Sequence, residues 1–232
     1  IVVFNSNRTS EFFYVNFDDL SNISDFGWNL TGAITFYQSP VNFNNCNFKN
    51  NLRGDDYLNI VRTNFNLINT TFENTKSDAL DADFCTGTVE NVKFLKVGND
   101  AIDVSGTKLY VNNVEIVNPG DKGISGGEKS YLICKNIKIN GGEIAFASKD
   151  ASTIDINGAN IDLSKLAYCS FQKKPEYGPG IIIVRNGTLK NVKTEYLIEV
   201  GSSLTLNGTE IENKSNKVKE MLYGKKYGKS SK

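Results

Sequence analysis

Apolar and polar residues alternate with period two over most of this chain, and the alternation recurs every 22 residues. Asp56-Tyr57-Leu58-Asn59, Asp78-Ala79-Leu80-Asp81, Asp100-Ala101-Ile102-Asp103, Lys122-Gly123-Ile124-Ser125, Ile144-Ala145-Phe146-Ala147 and Leu166-Ala167-Tyr168-Cys169 each open one unit. A fixed period of this length signals a solenoid, because each unit buries its apolar side only against its neighbours. Counting the Asp78 position as the first, the third position reads Leu58, Leu80, Ile102, Ile124, Phe146 and Tyr168, and the fifth reads Ile60, Ala82, Val104, Gly126, Ser148 and Ser170. These are expected inside, with positions two, four and six outside. A second strand carries Leu67, Val89, Val111 and Ile133. A third carries Thr70 and Phe72, Val92 and Phe94, Val114 and Ile116, then Ile137 and Ile139. Three short parallel strands per unit predict an all-β, single-stranded right-handed parallel β-helix of about seven to eight coils.

The bend between the second and third strands is marked by asparagine, at Asn69, Asn91 and Asn113, then Asn136 one residue late and Asn157 back in step. Asparagine tolerates the left-handed conformation that a sharp corner needs, and stacked amides bond from coil to coil. The stack extends backwards through Ile34-Thr35-Phe36-Tyr37 and, more weakly, Phe12-Phe13-Tyr14-Val15. Forwards it resumes at Tyr196-Leu197-Ile198-Glu199, eight residues late, with the loop from Gln172 to Gly180 supplying the insertion. The β-helix is assigned to residues 1–212. Residues 213–232 are a lysine-rich tail or cap, in which Met221-Leu222-Tyr223 can form a short capping element but a frayed end or a linker is the expectation.

Composition narrows the picture. Twenty-six basic residues balance 26 acidic ones, so no nucleic-acid or anionic-membrane partner is expected. No apolar run approaches the roughly 18 residues that span a bilayer, so no membrane insertion is expected. The chain opens Ile-Val-Val-Phe, the look of a mature product or an excised domain of a longer parent chain. Cys46, Cys85, Cys134 and Cys169 fall on separated coils, and rungs about 4.8 Å apart put them out of disulfide reach.

The repeat also collects acids. Asp55, Asp56, Asp78, Asp100 and Asp121 sit at the entry to the first strand, Asp81 and Asp103 at position four and Asp83 at position six. Asp81 and Asp103 lie one rung apart, so one takes a proton, a cation bridges them, or a lysine neutralises them. Lys122, Glu128, Lys129 and Lys149 stand on the next two coils, and Ca²⁺ suits such an oxygen cluster. Trp28, Tyr37 and Tyr177 offer sugar-stacking rings, while Tyr168 is in phase with the core.

Ser77-Asp78-Ala79-Leu80-Asp81, Gly98-Asn99-Asp100-Ala101-Ile102-Asp103 and Gly120-Asp121-Lys122-Gly123-Ile124-Ser125-Gly126-Gly127 resemble successive active-site coils of the pectate-lyase-like superfamily. Against the polygalacturonase-like hydrolases, Asp78 and Asp100 match the carboxylates. Asn99 replaces one Asp, Lys122 replaces the His, and Ala145 and Ala147 replace the Arg and Lys. The chain has no histidine, and hydrolysis by an acid and a base is not expected. Against the Ca²⁺-dependent pectate lyases, Asp78 or Asp81, Asp100 and Asp103 match the acidic positions. Ser125 stands where the base lysine belongs, so Lys122 or Lys149 would reach in.

The resemblance thus implies Lys122, Lys149 and Asp103 as catalytic candidates. Asp78, Asp81, Asp83, Asp100 and Glu128 would contact substrate, and Asp81, Asp100 and Asp103 would hold Ca²⁺. Three functions stay open. The leading one is a polysaccharide-binding module, extracellular or at a cell surface. The second is a lyase or epimerase on uronate polymers, and the third is a structural or adhesion shaft.

Overall fold

A short strand that pairs only with the coils before and after it must repeat its register at every turn, and this chain does so. The computed structural model describes residues 1–22, 24–25, 28–212 and 214–224. The chain is a parallel β-solenoid of about 22 residues per turn and about eight turns. Among the described residues ten strands stack as the first sheet, from Val2–Phe4 through Leu80–Asp83, Ile102–Ser105, Lys122–Gly127, Ile144–Lys149 and Leu166–Phe171 to Lys214–Ser215. Leu58, Leu80, Ile102, Ile124, Phe146 and Tyr168 lie in successive register, each paired with its counterpart one full repeat away. The second and third strands form one bent sheet. In the later coils they run through the corner as single strands such as Lys108–Val117 and Tyr131–Asn140.

The core fills the channel between the sheets. Residues of positions three and five are buried, as are the inward residues of the third strand. Phe17, Phe48, Phe72 and Phe94 stack with centroids 4.7, 4.4 and 5.1 Å apart, a spacing set by the strand separation of about 4.8 Å. Buried hydroxyls form a second column after the first sheet. The Cys85 N–H donates to Thr107 Oγ1 (2.9 Å), the Thr107 N–H to Ser130 Oγ (3.1 Å) and the Ser130 N–H to Ser152 Oγ (3.0 Å). Each hydroxyl satisfies an N–H that the turn withdraws from the ladder. All four cysteines are buried free thiols.

Three corners per coil take positive φ. The asparagine corner holds Asn69, Asn91, Asn113, Asn136, Asn186 and Asn207 at φ of 49 to 56°. Asn91 Nδ2 donates to Asn69 Oδ1 at 3.0 Å and Asn113 Nδ2 to Asn91 Oδ1 at 2.7 Å, which is the amide ladder. A second column at Asn50, Asn74, Lys96, Asn118 and Leu163 closes the third strand, and a third at Gln38, Arg62, Phe84 and Glu128 closes the first.

Several registers differ from those the pattern suggested. Position two points inward: Tyr57, Ala79, Ala101, Ala145 and Ala167 are all buried. Consecutive N–H groups of Tyr57 and Leu58 both donate to the next coil, to Asp78 O and Ala79 O. The chain therefore bends there instead of alternating, and position one swings outward beside position four. Ile34 pairs with Leu58 across a step two residues longer than the repeat, and Phe12 belongs to the second strand, opposite Phe43. Cys134, not Ile133, continues the inward column after Val111, because the Gly127–Ser130 turn adds one residue to that coil. In the next coil Gly158 takes the corner (φ 83°) and Asn157 precedes it. Tyr196 pairs with Tyr168, so the insertion is six residues rather than eight.

The amide ladder sets a stability test. Asn91→Ala loses two side-chain hydrogen bonds and imposes a Cβ penalty on a left-handed residue, for a loss of about 2 kcal/mol. Asn91→Gly keeps the backbone freedom and loses about half as much. Urea midpoints of the two variants check the order.

Candidate functional site

Positions one, four and six point out of the first sheet and form three rows along the solenoid. The register aligns Asp56, Asp78, Asp100, Lys122, Ile144 and Leu166 in row one, and Asn59, Asp81, Asp103, Ser125, Ala147, Cys169 and Leu197 in row four. Row six reads Val61, Asp83, Ser105, Gly127, Lys149 and Phe171. The rows are acidic in the early coils, basic in the middle and apolar at the end.

Because position one turns out beside position four, the acids of both rows share one surface. The Asp100 N–H donates to Asp78 Oδ1 at 2.8 Å, and the Lys122 N–H to Asp100 Oδ1 at 3.0 Å, so these two row-one carboxylates each clasp the next coil. Lys122 Nζ lies 2.5 Å from Asp121 Oδ2 and 3.4 Å from both Asp100 oxygens. Lys149 Nζ lies 3.3 Å from Asp103 Oδ1. Asn59 Nδ2 donates to Asp81 Oδ2 at 3.4 Å. Glu128 sits in the turn after Lys122–Gly127 and pairs with Lys174 of the 172–180 loop. That loop is pinned by Asp150, whose Oδ1 accepts the N–H groups of Lys173 and Lys174 at 2.7 Å each. It walls the row-six edge.

The far end of the face is covered. The helix Val218–Leu222 packs Val218 and Leu222, with Met221 at the edge, onto Ile144, Ala147, Leu166, Cys169, Phe171 and Leu197. Burying those two helix side chains contributes about 1.5–3 kcal/mol each. The described part of the tail, 214–224, is thus docked on the solenoid, and positions four of the later coils are buried rather than solvated.

Charge on this face is governed by burial. Burial, then neighbouring acids, pushes Asp56 up to about 6 and Asp78 up to about 7. Asp100 is pushed to about 8 by burial and by Asp103 and Asp78, with Lys122 opposing. Burial and acidic neighbours also raise Asp81 and Asp83. Burial works to raise Asp103 too, but Lys149 and Lys122 outweigh it and hold that carboxyl below its ordinary value. Burial would lower both ammonium groups. Asp100 and Asp121 hold Lys122 above its ordinary range, and Asp103 does the same for Lys149.

The structure therefore gathers Asp78, Asp81, Asp100, Asp103, Lys122 and Lys149 on one surface, with Asp83 at its edge and Glu128 out in the loop contact. The repeat alone could have nominated Asp56, which shares the row of Asp78, and Asp121, which precedes Lys122. Asp150 stands one repeat after Glu128 in the same positive-φ turn column, whereas Lys174 of the inserted loop carries no repeat signal. Among the described residues, no three His, Cys, Asp or Glu side chains form a metal-holding group. Tyr168 is buried and Tyr37 stacks on Phe4 at 4.8 Å. Tyr177 lies in the loop under Lys129, and the Trp28 side chain lies outside the described residues. No family model, curated protein or solved structure matches this chain.

The raised carboxyls fix the sign of the pH response. A carboxyl raised on folding binds more protons in the folded state than in the unfolded one between its two values, so stability falls as pH rises through that window. For Asp56, Asp78 and Asp100 the window runs from the ordinary 3.8 to about 8. Urea unfolding at pH 5 and pH 8 is expected to show a loss of about 2–4 kcal/mol. Asp78→Asn, which keeps an acceptor for the Asp100 N–H, should lose less over the same interval.

Proposed function

We propose that this chain is a polysaccharide-binding module, a right-handed β-helix of the pectate-lyase-like kind that holds its ligand without cleaving it. One observation carries the reading. The two lysines that would act as base are tied up as ammonium groups, Lys122 by Asp121 and Asp100 and Lys149 by Asp103. Beside them, Asp81 and Asp83 are half-buried, with no lysine or arginine partner among the described residues. A lysine base must be neutral to take a proton, which weighs against the lyase or epimerase. Partly exposed carboxylates side by side on one strand suit the hydroxyls of a sugar chain laid on this face, with the 172–180 loop as a side wall.

A polyuronate would bring its own carboxylates against Asp81 and Asp83 and would need a cation between them. Ca²⁺ takes oxygen ligands of that kind, whereas a neutral polymer needs none. An extracellular or cell-surface setting follows from such a ligand. The shaft is the second reading, favoured by the backbone ladder that runs from coil to coil through the first sheet and by the stacked rings.

Calorimetric titration against neutral glucans, polyuronates and amino-sugar polymers, with and without Ca²⁺, tests the proposal. At least one polymer is expected to bind. Asp81→Asn combined with Asp83→Asn should weaken it about tenfold or more, the loss of one or two charge-assisted hydrogen bonds. Absorbance of the unsaturated product of β-elimination should stay flat. Absence of binding to every polymer favours the shaft, and accumulating product restores the lyase.

A further inference from the structure

We infer that the C-terminal helix is a displaceable cover, and that the binding face of the first sheet extends beneath it. This rests on the polysaccharide reading and names how that site is regulated. The helix sits on the same three rows that carry the carboxylates. Row four runs from Asp81 and Asp103 through Ser125 to Ala147, Cys169 and Leu197, and the helix covers its last three members. With the helix away, Ile144 and Leu166 of row one and Phe171 of row six would join them as an apolar strip, parted from the acids by the one coil that carries Lys122 and Ser125. Such a strip suits the apolar faces of sugar rings, while Ser125 at its edge and Asp103 one coil further receive their hydroxyls.

The construction of the helix fits a part that leaves without disturbing the rest. It has five residues, and its N-cap, Lys217, makes no side-chain cap hydrogen bond. A helix this short does not persist in water by itself, so undocking and unfolding are one event. Only Val218 and Leu222 are buried. Its other ties lie at the rim: Lys219 Nζ donates to Lys173 O at 2.7 Å, Lys173 Nζ stands 5.5 Å from the Tyr223 ring centroid, and that ring meets the Phe171 ring edge-on at 6.5 Å. The chain before it is held by the two-residue strand Lys214–Ser215 against Ile198 and Glu199. The coils below keep their own ladder, so opening is local and requires far less than global unfolding.

Cys169 reports the opening. It lies under the helix, whereas Cys46, Cys85 and Cys134 belong to the interior core cluster. A thiol reagent applied to the native full chain, with the labelled sites mapped by peptide mass, should modify Cys169 ahead of the other three. Leu222→Asp should speed that reaction roughly tenfold or more while the other three stay protected, which shows that the solenoid is folded. Should Cys169 react only in step with Cys134, in both proteins, the helix is no cover and the inference falls.

The second arm is polymer affinity, using a polymer found in the titrations above. Leu222→Asp should bind several-fold more tightly than the parent. Equal affinity with fast Cys169 labelling overturns the claim that the site continues under the helix. Fast labelling with no polymer bound by either protein removes the polysaccharide reading and upholds the mobile cover.

Discussion

Everything in this molecule depends on the parallel backbone ladder between successive coils. Each strand finds its hydrogen-bond partners one turn away, so the turn must close at a constant length for the register to persist. Closing so short a turn requires three sharp corners, and each corner takes a residue at positive φ. Asparagine serves best at one corner because its amide then bonds to the amide of the next coil. The same spacing that sets the ladder stacks Phe17, Phe48, Phe72 and Phe94 face to face. Backbone register, side-chain stacking and corner chemistry are three consequences of one repeat distance.

That distance also explains the outer face. Identical positions on neighbouring coils are forced to within about 5 Å, and the repeat places Asp at the same position on three consecutive coils. Carboxylates that close cannot all stay ionised in a half-buried setting. The face relieves the conflict in three ways. Asp78 and Asp100 accept backbone N–H groups of the next coil, Lys122 and Lys149 insert between acids, and the carboxyls whose burial no lysine outweighs, Asp78, Asp81 and Asp83 among them, have raised proton affinity. The arrangement resembles a site because the repeat concentrates charge, and the lysine pairing then decides which chemistry remains open to it.

The non-repeating segments finish the surface. The 172–180 loop reaches back to Glu128 through Lys174 and rims row six, and the C-terminal helix lies on the apolar end. Both are insertions or appendages to the solenoid, and both act on the one sheet face whose rows are not uniform in polarity.

Periodicity alone determined the solenoid, the inward columns at Leu80 and Ala82, the asparagine corner at Asn69, Asn91 and Asn113, and the presence of Asp78, Asp81, Asp100 and Asp103 on neighbouring coils. These are legible because a repeat turns spatial adjacency into a fixed sequence separation. Tertiary structure decided the rest. It turned position two inward and position one outward, since a bend in the strand breaks the alternation that a pattern assumes. It moved the core place from Ile133 to Cys134, because one extra turn residue shifts every later partner. It also brought Lys149 to Asp103 across two coils, Lys174 to Glu128, and the C-terminal helix over Cys169. The last two join segments with no common period, so only the closing of the chain in three dimensions brings them together, and the first depends on how far a lysine side chain reaches between two rows of the repeat.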